Sequence, residues 1–207
     1  MSTSDEYEYH DAELSTAHDY LIPEVCKILE TLDKSKRRIF EVGCGNGAVA
    51  NYLSTRGYVV TGIDASGEGI SRARHAYPAL NLTQASAYDD LPGKFGRFPI
   101  VLSLEVVEHL YYPRKFASAV HDLLEPGGVA IISTPYHGYL KNLAMALSGR
   151  MDGHFTALWD HGHIKFWSRR TLGTLLEEAL LEVRDFRRVG RFPPLAKSMI
   201  LVAVRPE

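Results

Sequence analysis

The sequence predicts an α/β fold, a mostly parallel sheet with helices on both faces and an antiparallel last strand. Three observations predict it. Short apolar runs without strict polar alternation recur along the chain, as strands buried on both faces require. Helix-friendly stretches separate these runs, the order of strand-helix-strand units. The rhythm then changes. "EVRDFRRVGRF" and "AKSMILVAVRP" follow one another through the short loop "PPL", which suits an antiparallel pair.

With 207 residues the chain suits one domain with one core. We place a polar arm at 1–12, a single domain at 13–207, and an insertion at 136–160. Lys plus Arg total 23 against 25 for Asp plus Glu, so no basic excess argues for nucleic acid. Two cysteines, Cys26 and Cys44, do not make a disulfide framework and suit a reducing, cytoplasmic compartment. The N-terminal "MSTSDEYEYHDAEL" is not a signal peptide, and no apolar run reaches the roughly 20 residues of a membrane span.

Each element has a local reason. "AELSTAHDYLIPEVCKILETL" reads as helix, capped at Ser15 or Thr16 and broken or bent at Pro23. "RRIFEV" is a strand, followed by a glycine loop and a helix to about Arg56. "YVVTGID" is a second strand and "GEGISRARHAY" a second helix. "LNLTQAS" and "FPIVLSLE" are the third and fourth strands. Pro113 starts the helix "RKFASAVHDLLE" at its first turn. "GGVAIISTP" is the fifth strand, and "RRTLGTLLEEAL" the helix before the final pair.

The glycine loop "EVGCGNGA" joins strand to helix. Such a loop brings bare backbone to a ligand, and the helix N-terminus favours electron-rich groups. Asp64 ends the next strand about twenty residues on, where a carboxylate can hold ribose hydroxyls. These features suit a nicotinamide dinucleotide or S-adenosylmethionine alike.

"FEVGCGNG", "GID", "VLSLEVVEHL" and "LLEPGGVAIIST", with the antiparallel last strand, resemble the class I S-adenosylmethionine-dependent methyltransferases over residues 37–205. "LEVVEHL" is most similar to the ubiquinone-biosynthesis O-methyltransferases and their bacterial relatives. The resemblance implies a Rossmann-like seven-stranded sheet and a methyltransferase using S-adenosyl-L-methionine. It implies that Gly43, Cys44, Gly45 and Gly47 meet the cofactor, with Glu41 beneath its methionine end. Asp64 would hold the ribose, with Ala65 beside it. Ala87 and Tyr88 would border the adenine, and Leu104 would line the same pocket. An acid often follows the third strand in this family, whereas here Ser86 stands there. The N-terminal helix would close over the cofactor, with His18 or Tyr20 contributing.

Glu105, Glu108 and His109 fall at i, i+3 and i+4, one face of a helical turn. They follow a strand's carboxyl end and suit Mg²⁺ or another hard divalent cation. The alternative is an acid-rich helix start. His161 and His163 alternate, so one of them would reach the site. Without a metal, His109, His161 or His163 is the expected general base. The expected reaction is O-methylation of a small apolar or phenolic acceptor. The same-class alternatives are N-, C- or sugar-hydroxyl methylation. The other classes are a nicotinamide-dependent oxidoreductase and a non-catalytic cofactor-binding module. The insertion 136–160, rich in Tyr, Leu, Phe and Trp, reads as a substrate lid with peripheral membrane contact, or as a helix on the domain's own core.

Overall fold

The computed structural model describes residues 13–155, 157–160 and 162–207. The arm at 1–12 and His161 lie outside the described residues.

Seven strands among the described residues form one sheet: β1 Arg38–Val42, β2 Val59–Asp64, β3 Asn81–Gln84, β4 Phe98–Ser103, β5 Leu124–Pro135, β6 Glu182–Val189 and β7 Ser198–Val204. Their order is β3-β2-β1-β4-β5-β7-β6. The β1–β2, β1–β4, β2–β3 and β4–β5 pairings are parallel. β7 runs antiparallel to both β5 and β6, with Ile131 opposite Val202 and Phe186 opposite Leu201. The predicted terminal pair is therefore present.

Helices α1 His18–Thr31, α2 Ala48–Ser54 and α3 Gly67–Ala76 contribute to one core. Helices α5 Pro113–Leu123 and α8 Arg169–Glu178 contribute to the other. The strands alternate between them. Ile39, Ile100 and Leu102 join the first core, whereas Phe40, Val42 and Val101 join the second. Successive side chains of a strand point to opposite faces, so two covered faces produce unbroken apolar runs.

Two local expectations change, and one element is new. Helix α1 runs through Pro23 without a break. Neither Ser15 nor Thr16 caps it. Its N-cap is Ala17, and the Ser15 amide instead donates to His18 Nδ1 at 3.0 Å. A short helix α4, Leu91–Phe95, went unforeseen; Asp90 caps it by accepting from Gly93 N at 3.1 Å.

The insertion forms α6 Tyr139–Leu147 and α7 Met151–Phe155. Neither buries a residue. Tyr139, Leu140, Leu143 and Leu147 are all exposed. Lys141, Asn142 and Met145 of α6 are half-buried. No described helix is long and apolar enough to cross a membrane.

Candidate active site

A cleft of about 1220 Å³ opens at the carboxyl ends of β1, β2 and β4. This is where the strand order reverses between β1 and β4, the usual ligand crevice of open α/β sheets. Its volume exceeds the roughly 300–1,000 Å³ of a single-ligand pocket, leaving room for two reactants.

The glycine loop forms the floor. Gly43 N and Cys44 N both donate to Ile63 O, at 2.8 and 2.9 Å. Gly45 N donates to Asp64 Oδ2 at 2.8 Å, and Ser66 N to Asp64 Oδ1 at 2.8 Å. Asp64 thus fastens the loop to the end of β2 from the cleft wall. Gly43 has φ +81°, and a Cβ there would meet Val106 Cγ2 at 2.3 Å. Gly43, Cys44, Gly45, Glu41, Asp64, Ala65, Ala87, Tyr88 and Leu104 all line the cleft.

Gly47 is not among the residues that line it. It sits at φ +77° where α2 begins, and a Cβ would meet Leu82 Cδ1 at 2.8 Å and Ala73 Cβ at 3.0 Å. Its bareness serves close packing of α2 against β3 and α3.

Glu41 is buried, and its Oε2 has no hydrogen-bond partner. Burial, then the charge of Asp64, raise its carboxyl to about 8. An orphaned acid beneath a cleft suits a ligand that brings a cation or donor, such as the ammonium of a methionine moiety. Burial also pushes the Cys44 thiol up, so that residue packs rather than reacts.

At the other end of the cleft the predicted helical face is absent. Only Val107–His109 form a 3-10 turn, and Glu105 precedes it at φ 55°. A non-glycine residue there is strained by about 1–3 kcal/mol and persists only when its surroundings fix it. Ser133 supplies that restraint. Glu105 N donates to Ser133 Oγ at 3.0 Å, and Ser133 Oγ donates to Glu105 Oε1 at 2.7 Å. Ser198 Oγ donates to Glu105 Oε2 at 3.1 Å. Glu105 is therefore turned towards β5 and β7 rather than stacked on a helical face with Glu108 and His109.

Glu108, His109 and His163 do come together. One ligand atom from each lies within 4.8 Å of the others. His163 Nε2 is 4.0 Å from Glu108 Oε1. The segment 162–167, outside any helix or strand, carries His163 there. Ile164 N and Lys165 N donate to Glu108 O at 3.0 Å, and Trp167 Nε1 to Val107 O at 3.4 Å. His109 Nδ1 lies 3.2 Å from Gly162 O. A carbonyl only accepts, so in the neutral ring the proton is on Nδ1 and the lone pair on Nε2. Neither Glu108 oxygen accepts a hydrogen bond. Burial, then the neighbouring Glu105 charge, hold Glu108 well above the usual carboxylate range. Burial, then His109 and His154, lower His163 to about 4, so it is a neutral ring at pH 7.

Sequence reasoning missed several members of the cleft. Glu13 to Ala17 line it, and Asn46 Nδ2 donates to Glu13 O at 2.9 Å. Lys197 and Ser198 also line it, as does Trp159 of the insertion, which the aromatic run had already marked. Trp159 stands 5.4 Å from His163, ring to ring. A serine on a terminal strand carries no local signal for such a role.

Comparisons with known proteins agree with this geometry. The family described as "Methyltransferase domain" matches residues 14–185. The chain is 33% identical over 172 residues to a ubiquinone biosynthesis O-methyltransferase of Dinoroseobacter shibae, covering 79% of this chain and 67% of that protein. It is 28% identical over 192 residues to the Pseudomonas aeruginosa protein of the same name, covering 90% and 82%. A crystal structure of a putative methyltransferase from Bacillus halodurans superposes with a TM-score of 0.68 at 16% identity, covering 89% of this chain and all of the other, and shows the shared fold. The chain belongs to the class I S-adenosylmethionine-dependent methyltransferases, and is an enzyme of that family.

Proposed function

We propose that this methyltransferase acts on a hydroxyl oxygen, phenolic in the first instance, of a small acceptor with an apolar tail, and that Glu108, His109 and His163 hold a divalent cation beside it. The observation that carries this reading is Glu108. The buried Glu108 stands beside two imidazoles, those of His109 and His163, and neither of its oxygens is hydrogen-bonded. A buried carboxylate in that state is unfavourable unless a cation or donor arrives. One carboxylate with two imidazoles is a plausible donor set for Mg²⁺, Mn²⁺ or Zn²⁺.

The chemistry needs little beyond alignment, since the sulfonium methyl is already activated. The loop and Asp64 hold the adenosyl end, and Glu41 faces the ammonium end. A bound divalent cation would act as a Lewis acid on the acceptor oxygen and lower the cost of losing its proton. Trp159, Phe155 and Leu110 give the acceptor an apolar wall and exclude water. A second reading needs no cation. The lone pair of His109 Nε2 then takes the acceptor proton. His109 lines the cleft with its Nδ1 against Gly162 O, which orients the ring for that role.

The exposed face of α6, Tyr139, Leu140, Leu143 and Leu147, fits a lid that also touches a bilayer surface, where a long-tailed acceptor would reside. Mn²⁺ binding, read by electron paramagnetic resonance, tests the cation site without an acceptor. Stoichiometric binding in the wild type, lost in Glu108→Gln and in His163→Ala, is expected. No binding would favour His109 as the base. Co-sedimentation with anionic vesicles, lost in Leu143→Asp, tests the surface.

A further inference from the structure

Four polar side chains run in a chain from the cofactor side of the cleft to the acceptor side: Tyr20, Ser198, Glu105 and Ser133. Tyr20 belongs to α1, Ser198 to β7 and Ser133 to β5. Tyr20, Ser198 and Glu105 all line the cleft. The Tyr20 hydroxyl is 3.2 Å from Ser198 Oγ. The single Ser198 proton goes to Glu105 Oε2 at 3.1 Å. Tyr20 must therefore be the donor to Ser198, and the chain has one direction while Glu105 is ionised. A carboxylate that accepts such bonds is held in orientation as well as charge.

Tyr20 is itself held from outside the chain. Lys197 Nζ stands 5.2 Å from its ring centroid. Gly190, at φ +87°, leaves room for both; a Cβ there would lie 2.9 Å from Lys197 Cβ and 3.1 Å from Tyr20 Cδ2. Ser198 is 1% exposed and Ser133 fully buried, so neither hydroxyl is there for solvent.

We propose that Tyr20 and Ser198 are positioning residues for Glu105, through which helix α1, a wall of the cofactor cleft, sets the orientation of the acid at the acceptor end. The proposal rests on the reading above that the acceptor lies at Glu105, Glu108 and His109. Glu105 makes no hydrogen bond of its own to α1 among those described, so the hydrogen-bonded link between them runs through Ser198. The arrangement makes a productive acid geometry conditional on α1 being seated, and α1 seats against the cofactor cleft.

Two measurements test it. The first needs no acceptor: hydrogen exchange of the α1 amides in the wild type, Glu105→Gln, Ser198→Ala and Ser198→Thr. We expect Glu105→Gln and Ser198→Ala each to speed exchange in the first turns of α1 by about fivefold or more, and Ser198→Thr to leave it unchanged. The second is steady-state methyl transfer to a long-tailed dihydroxyphenol. Ser198→Ala should lower kcat about tenfold with the cofactor KM little changed, Ser198→Thr should restore it, and adding Tyr20→Phe to Ser198→Ala should lower it no further. α1 exchange indifferent to Glu105→Gln, or a Ser198→Ala enzyme with wild-type kcat, would overturn the proposal. A wild type inactive on the phenol would count against the proposed function alone, and the exchange experiment would still decide the coupling.

Discussion

Gly45 and Asp64 are joined by a hydrogen bond of 2.8 Å from the loop amide to the carboxylate, so the second strand's last side chain holds the first strand's loop. The same carboxylate accepts from Ser66 N at 2.8 Å and starts the turn into α3. Asp64→Ala removes both bonds along with the proposed ribose acceptor. We expect S-adenosylmethionine affinity to fall at least about tenfold and stability by about 1–3 kcal/mol. Asp64→Asn, which keeps one acceptor oxygen, should fall between. Titration calorimetry and urea melts read the two effects separately. An Asp64→Ala protein with wild-type affinity would remove Asp64 from the cofactor site.

Gly43 and Gly47 have the same backbone hand and different duties. Gly43→Ala would put a Cβ into Val106 at the cleft floor. Stability should fall at least as much as at Gly47, and the remaining folded protein should bind cofactor more weakly. Gly47→Ala strains φ and overpacks against Leu82 and Ala73. It should lower stability by about 1–3 kcal/mol while the folded fraction still binds cofactor. The reverse pattern would show that the two glycines have been assigned the wrong roles.

Glu41 gives a pH dependence of known sign. Its carboxyl is raised from 4.5 to about 8 by burial, with Asp64 adding to it. The folded state therefore binds this proton more tightly than the unfolded state. The stability it contributes is full below about 4.5 and is lost as pH rises towards 8. Glu41→Gln stays neutral throughout. Without cofactor, its stability relative to wild type should rise between pH 5 and 8, by about 2–5 kcal/mol. Urea melts at the two pH values check this. An unchanged difference would mean that Glu41 is not protonated in the folded protein.

Removal of residues 140–156 takes away most of α6 and all of α7, neither of which buries a residue. Acceptor turnover should be abolished and cofactor affinity kept. Loss of both, or of neither, would contradict a lid.

Much of this was legible in the sequence because its signals are local. Apolar runs such as "FPIVLS" mark strands covered on both faces, and Gly43, Gly45 and Asp64 carry the loop in their own spacing. Pro113 started its helix as expected. Pro23 misled because it stands at the sixth position of α1, past the first turn, and the helix nonetheless continues through it to Thr31. Ser168 and Thr171 form a capping box for α8 that an acid at the third position would have announced more clearly. The acceptor end was only half legible. "EVVEH" reads as one helical face, yet Glu105 takes a left-handed backbone and turns to Ser133 and Ser198. Those partners lie 28 and 93 positions away in the chain, and no local pattern encodes them. His163 was named by its alternation with His161. Its approach to Glu108 depends on the bonds of Ile164 and Lys165 to Glu108 O, which are tertiary.

The most direct test of the central claim is methyl transfer from S-adenosylmethionine to a long-tailed dihydroxyphenol, with and without a metal chelator, after cofactor binding has been verified. The account predicts turnover that the chelator abolishes and Mg²⁺ or Mn²⁺ restores, with Glu108→Gln and His163→Ala inactive in either condition. Turnover indifferent to the chelator and to those two substitutions would contradict it.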